Sequence, residues 1–220
     1  MRRFGLFALV FVVLFALGAS AVASDKKYEA KKAARTITID GDLKEWAGVP
    51  SLSLTLPDGG KATLQAQWNE KAFYFAVTVE DKVHRNPQSG GNIWQGDNLQ
   101  ISLDTLNNKS AGRYDDDDFE FGWALTSKGL DSYAWHTSTA VTYDPAKAQF
   151  KVVNAGGRTI YEIALPIEQI RPAQLKAGTV MGFDWLVNDD DGSGRQFIEW
   201  TPGIGTSKDP SSYGSLSLGK

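Results

Sequence analysis

Asn98-Leu-Gln-Ile-Ser-Leu-Asp104 alternates polar and apolar side chains without a break. Successive side chains of a strand point to opposite faces. Leu99, Ile101 and Leu103 therefore share one face, and Asn98, Gln100, Ser102 and Asp104 share the other. A segment with one apolar and one polar face reads as a half-buried strand. The same period recurs upstream over residues 36–40, 52–56, 62–68 and 73–79, and downstream over 119–125, 160–165 and 180–187. Turn signals such as Pro57-Asp-Gly-Gly60 separate these runs. Helical signal is confined to single turns at residues 42–46 and 166–170. The pattern predicts an all-β protein, a single antiparallel β-sandwich of jelly-roll or immunoglobulin-like type with ten or more strands, over residues 36–220.

The chain starts differently. Arg2 and Arg3 precede an uncharged apolar run from Phe4 to Leu17, and Ala21-Val-Ala23 supplies small residues before Ser24. This is the three-part pattern of a secretory signal peptide, expected over residues 1–23 and cleaved. The run is shorter than the ~20 residues a bilayer span needs. Residues 24–35, polar and lysine-rich, read as a flexible lead-in. The expected product is exported to the periplasm or the cell exterior, with no membrane attachment after cleavage.

Composition then removes classes of chemistry. Among 220 residues there is no cysteine, so disulfides, thiolate nucleophiles and Cys-type metal sites are excluded. The two histidines, His84 and His136, rule out a multi-histidine cluster and sit in no nucleophile motif. A formal charge of −3 opposes a nucleic-acid footprint. A glycosidase needs only two carboxylates, but nothing singles out a pair, and no catalytic activity is expected.

The remaining candidates are aromatic and acidic. Of the 7 tryptophans, Trp68, Trp123 and Trp185 fall in register with core residues. Trp94 sits instead in the polar, glycine-rich stretch 90–97, where an indole offers a flat apolar face and a free N–H. Such a face suits the C–H side of a pyranose ring. Asp115, Asp116, Asp117 and Asp118 precede one strand, Asp189, Asp190 and Asp191 follow another, and Asp40 and Asp42 form a third group. Solvated loops are one reading of these acids. Calcium, which takes six to eight oxygen ligands, is the other.

Several segments in sequence order resemble the family 9 carbohydrate-binding module, within the wider DOMON-like β-sandwich group. They are Ile39-Asp-Gly-Asp-Leu-Lys-Glu-Trp46, Ala66-Gln-Trp68 with Phe73 to Asp81, Trp94 to Asp104, Tyr114 to Phe121, Tyr161 to Pro166, Gly182 to Asp189 and Asp209 to Gly214. The resemblance implies an antiparallel sandwich that binds sugars, carries calcium and accompanies polysaccharide-degrading enzymes. It implies a sugar clamped between two tryptophans. Trp94 matches the first clamp position, and Ser207-Lys208 occupies the second. The family's sugar-binding glutamate falls on Gln100, its arginine on Gly122 and an amide on Leu186.

The expectation is an exported, calcium-stabilised, non-catalytic domain that binds a glycan through Trp94, Asn98, Gln100, Glu120 and Asp184. Calcium is assigned to Asp40, Asp42, Asp115, Asp116, Asp117 and Asp189. A carbohydrate, and a polysaccharide-degrading enzyme, are the expected partners. Two alternatives stay open. One is a haem-binding electron-transfer domain using Met181 with His84 or His136. The other is a structural or adhesive surface domain without a small ligand.

Overall fold

The structure, a computed structural model, describes residues 24–220, so the expected signal peptide lies outside the described residues. Twelve strands dominate: β1 (Lys27–Lys32), β2 (Ser51–Thr55), β3 (Lys61–Trp68), β4 (Ala72–Glu80), β5 (Asn98–Asp104), β6 (Asp118–Thr126), β7 (Gly129–His136), β8 (Gln149–Ala155), β9 (Arg158–Pro166), β10 (Val180–Asp189), β11 (Gln196–Glu199) and β12 (Gly214–Leu218). They pair in the order β7-β6-β5-β10-β12-β1-β3-β4-β9-β8, with β11 on β10 and β2 on β3.

The chain forms two apposed layers. One is β7-β6-β5-β10-β12 with β11, the other β3-β4-β9-β8 with β2. In-register alternation fixes which side each buries. Leu99, Ile101 and Leu103 of β5 face inward beside Phe121 and Trp123 of β6 and Phe183 and Trp185 of β10. Leu64, Ala66 and Trp68 of β3 and Phe73, Phe75 and Val77 of β4 answer from the other layer. Phe75 and Phe183 stack between layers with centroids 6.1 Å apart. Trp68, Trp123 and Trp185 are fully buried, as their register predicts.

Three local expectations change. Residues 27–32, read as a flexible lead-in, form β1, whose first half pairs in parallel with β12 and whose end pairs in parallel with β3. The sandwich is therefore not wholly antiparallel, and one strand joins its two layers. Tyr28 and Ala30 drive this by pointing into the core between charged neighbours. Residues 36–40, read as a strand, are irregular. Their apolar side chains Ile37 and Ile39 instead pack with Trp46 and Ala76 on the outer face of the β3-β4-β9 layer.

That outer face holds a buried carboxylate. Glu162 of β9 is 0 % exposed. One oxygen accepts the indole N–H of Trp46 at 2.9 Å, and the other accepts the backbone N–H groups of Asp40 and Gly41 at 2.9 and 2.8 Å. Gly41 has φ +87°, and a Cβ there would meet Val153 Cγ2 at 2.8 Å. The Asp-Gly…Trp spacing is thus a clasp around Glu162. Asp42 caps the following 3-10 turn, Leu43–Trp46, by accepting from the Lys44 amide.

Candidate functional site

The polar face of the β6-β5-β10 layer carries the site. Gln100 lies opposite Gly122 on one side and Leu186 on the other, and Ser102 lies between Glu120 and Asp184. Above this face is a cleft of about 240 Å³ lined by Trp94, Gln100, Glu120, Trp135, Arg195, Gly205 and Lys208. This is below the ~300–1,000 Å³ usual for drug-sized ligands and matches a sugar ring or chain end.

Two indoles wall it. Trp94 comes from the 3-10 segment Gly90–Gln95 and remains 37 % exposed. Trp135 comes from a β-bulge: β7 pairs His136 with Glu120 and Ala134 with Phe121, leaving Trp135 as the extra residue. Its ring lies over Gly122, so close that a Cβ there would meet it at 2.5 Å. Its N–H donates to the Gly91 carbonyl at 3.0 Å, tying β7 to the segment that carries Trp94.

The polar groups are held from behind. Glu120 accepts from Lys208 Nζ through one oxygen and from the Tyr114 hydroxyl at 2.7 Å through the other. Burial and the neighbouring Glu120 carboxylate push the Tyr114 phenol well above its ordinary pKa, so it stays a donor. Lys208 adopts φ +54° to reach this position. Arg195 Nε donates to Asn188 Oδ1 at 2.6 Å, and Asn188 in turn donates to Asn98 and Gln100. The Arg195 guanidinium lies 5.0 Å from the Trp94 ring centroid and 4.4 Å from that of Phe197.

Of the sequence-predicted ligand residues, Trp94, Gln100 and Glu120 line the cleft. Asn98 and Asp184 do not. Asn98 is fully buried on the same face as Gln100, where it accepts from Asn188. Asp184 is fully buried too, and its carboxylate accepts the Thr201 amide at 2.8 Å, pinning the segment after β11 to β10. Trp135 and Arg195 escaped the sequence reading. A bulge that re-aims an indole leaves no mark in a regular alternation, and Arg195 reaches the cleft from a turn. The nearest available signal was Gly122, a strand glycine that needs a large neighbour over it.

The acids sort into separate places. Asp104, Asp117 and Asp118 bring buried carboxylate oxygens within 4.8 Å of one another. Burial raises Asp117 and Asp118 to about 7, with the Asp115 carboxyl beside the first and Asp104 beside the second. One Asp118 oxygen is buried without a partner. The nearest ammonium, Lys109, donates to the Tyr213 and Gly214 carbonyls and forms no ion pair among the described residues. Asp189 joins Asp81 and Asp191 in a second group. Asp115 holds the Asn108 amide, and Asp116 accepts the exposed Thr139 amide at 2.6 Å. Asp40 and Asp42 stand apart, paired with Lys44. Asp40, Asp42 and Asp116 belong to neither of these groups: the first two share Lys44 and the third holds the Thr139 amide across the fold.

His84 is held on both nitrogens. Nε2 meets the Leu125 carbonyl at 2.8 Å, and Nδ1 faces Asp81 at 3.2 Å, Asp97 at 3.4 Å and Thr159 at 3.1 Å. Burial opposes the imidazolium, but the hydrogen bonds to Asp81 and Leu125 and the nearby carboxylates prevail, so its pKa rises. Burial lifts Asp97 to about 7. Asp97 binds more protons folded than unfolded from the carboxylate range up to about 7, and His84 does so from its ordinary value of 6.5 upward, so stability should fall with rising pH through both ranges. Melting temperature should drop between about pH 5 and pH 8, and His84→Gln should flatten that slope. An unchanged slope in the variant would remove His84 from the account. Met181 is fully buried in the core beside Leu216 of β12, and His136 meets the Asp115 carbonyl at 2.8 Å.

Residues 39–220 match the family described as Carbohydrate family 9 binding domain-like. The chain is 29 % identical over 193 residues to endo-1,4-beta-xylanase A of Thermotoga maritima, covering 83 % of this chain and 17 % of that protein. It is 27 % identical over 191 residues to exoglucanase XynX of Acetivibrio thermocellus, covering 83 % of this chain and 16 % of that one. The chain thus spans under a fifth of these relatives' length. Among solved structures, a carbohydrate binding module family 9 from Caldicellulosiruptor kristjanssonii in complex with cellotriose superposes with a TM-score of 0.71 at 20 % identity, covering 88 % of this chain and 94 % of that one. The same module in complex with glucose gives 0.71 at 20 % identity, covering 89 % and 97 %.

Proposed function

The chain belongs to the family 9 carbohydrate-binding domains, which are non-catalytic modules, and on that premise we propose that its cleft binds the end of a glycan chain. The observation that supports this is the pair of indoles, Trp94 and Trp135, standing over Gln100 and Glu120. Indole faces take the C–H surface of a pyranose by dispersion, and the amide and carboxylate take its hydroxyls. By the family resemblance Ser207-Lys208 falls at the second clamp tryptophan, so a sugar here meets a serine and an ammonium in place of that indole. Tryptophan fluorescence titration with cellotriose and with xylan tests this. Trp94→Ala should lose ~2 kcal/mol or more of binding while unfolding at nearly the same temperature. A large loss of stability instead would make Trp94 a core residue. Binding left intact would remove it from the site.

Calcium suits Asp104, Asp117 and Asp118, whose buried oxygens converge with one of them unpartnered. The ion would neutralise three carboxylates that the fold crowds together and so brace the β5–β6 connection. EGTA should lower the melting temperature by several degrees, and added calcium should restore it. Unchanged melting in both conditions returns these acids to solvated loops. Placement outside the cytoplasm fits this function, since the relatives' glycan substrates are polymers. No helix among the described residues is long and apolar enough to cross a membrane.

A further inference from the structure

The charges of the cleft do not balance. Lys208 is paired with Glu120, and outside the cleft Arg85 is paired with Asp190. Arg195 has no carboxylate within ion-pair distance among the described residues, and its only side-chain hydrogen bond is through Nε to Asn188. The two terminal amino groups of its guanidinium have no acceptor among the described residues. The lining side chains thus hold two cations and one carboxylate, with Glu199 acting on Arg195 from beyond ion-pair distance, in a protein whose formal charge is −3.

This guanidinium is also fixed. Asn188 holds its Nε, and Asn98 and Gln100 accept from Asn188. Its guanidinium carbon lies over the Trp94 and Phe197 rings. The side chain is kept in one place, and its free hydrogen-bonding edge is available at the cleft. A guanidinium held this way presents two parallel N–H groups, the fork that matches a planar carboxylate.

We propose that the cleft selects acidic sugars: it binds a uronic acid residue whose carboxylate Arg195 takes while Trp94 and Trp135 receive the ring. The proposal rests on the reading of the cleft as a sugar site and names the class of sugar. A neutral hexose can fill the same space, but it offers the fork only a hydroxyl. A hydrogen bond to a charged partner contributes about 1.5–3 kcal/mol, about tenfold or more in affinity.

The test titrates the full chain, by tryptophan fluorescence, with D-glucuronate against D-glucose and with D-galacturonate against D-galactose. The acid should bind about tenfold tighter in at least one pair, and its advantage should shrink as sodium chloride is raised. Arg195→Ala should bring the acid-to-neutral affinity ratio close to one, and Arg195→Lys should keep part of it. Far-UV circular dichroism checks that the variants are folded, and the salt dependence of the unsubstituted protein stands without them. Neutral sugars binding as tightly as the acids in both pairs would overturn the proposal and leave the sugar site intact. Tighter neutral-sugar binding in Arg195→Ala would also overturn it, since Arg195 would then be filling the sugar's own place. No response to any of the four sugars or to cellotriose would bring down the sugar site itself.

Discussion

Glu162→Ala should destabilise the protein by about 1–3 kcal/mol, measured by urea unfolding. The substitution removes the acceptor for three N–H groups at once, those of Trp46, Asp40 and Gly41. Each buried donor left without a partner costs about 1–3 kcal/mol. The two backbone groups lie nearer the surface and recover water, but the Trp46 indole is buried and does not. Glu162→Gln should cost less, because the remaining amide oxygen still serves one side of the clasp. A loss below about 1 kcal/mol for the alanine variant would mean that Ile37, Trp46 and Ala76 hold the segment by packing alone.

Gly122→Ala should weaken glycan binding about thirtyfold, by ~2 kcal/mol. A methyl group placed on Gly122 meets the Trp135 ring at 2.5 Å, well inside contact distance. The ring must swing away. It then gives up its bond to the Gly91 carbonyl, and with it one wall of the cleft. Overpacking of this kind also costs about 1–3 kcal/mol of stability. Calorimetric titration of the folded variant separates the two effects. Undiminished affinity would show that Trp135 is a support for Gly91 and not a surface for the sugar.

The two positions illustrate what the sequence reveals and what it hides. Alternation in Asn98–Asp104 specifies both the inward face and the polar floor, because register is set by which side must be dry. The Trp46 motif is visible as a string, but its partner Glu162 lies 116 residues away and reads as an ordinary polar residue of a half-buried strand. Asp184 shows the opposite error. Its alternation puts it on the polar face, yet loop 200–203 folds over it and turns it into a backbone anchor. The cleft is half legible for the same reason. Trp94, Gln100 and Glu120 follow from strand and loop patterning. Trp135 depends on a bulge, and Arg195 on the loop between β10 and β11.

The first strand sets the order in which the molecule can be completed. β1 pairs Lys27 with Ser215 and Ala30 with Leu218, and it also meets the end of β3 at Lys32 and Trp68. Its seam with β12 joins residues some 190 positions apart, so this closure is among the least local events in folding. Until then β12 presents an unpaired edge, and β3 only its last residues beyond the pairing with β2, the geometry from which strand-to-strand aggregation starts. A shortened chain begun at Ile39, where the family match begins, would keep every residue of the cleft and yet leave that edge of β12 open permanently. It should form soluble oligomers that the longer chain does not, and light scattering on the two would show the difference.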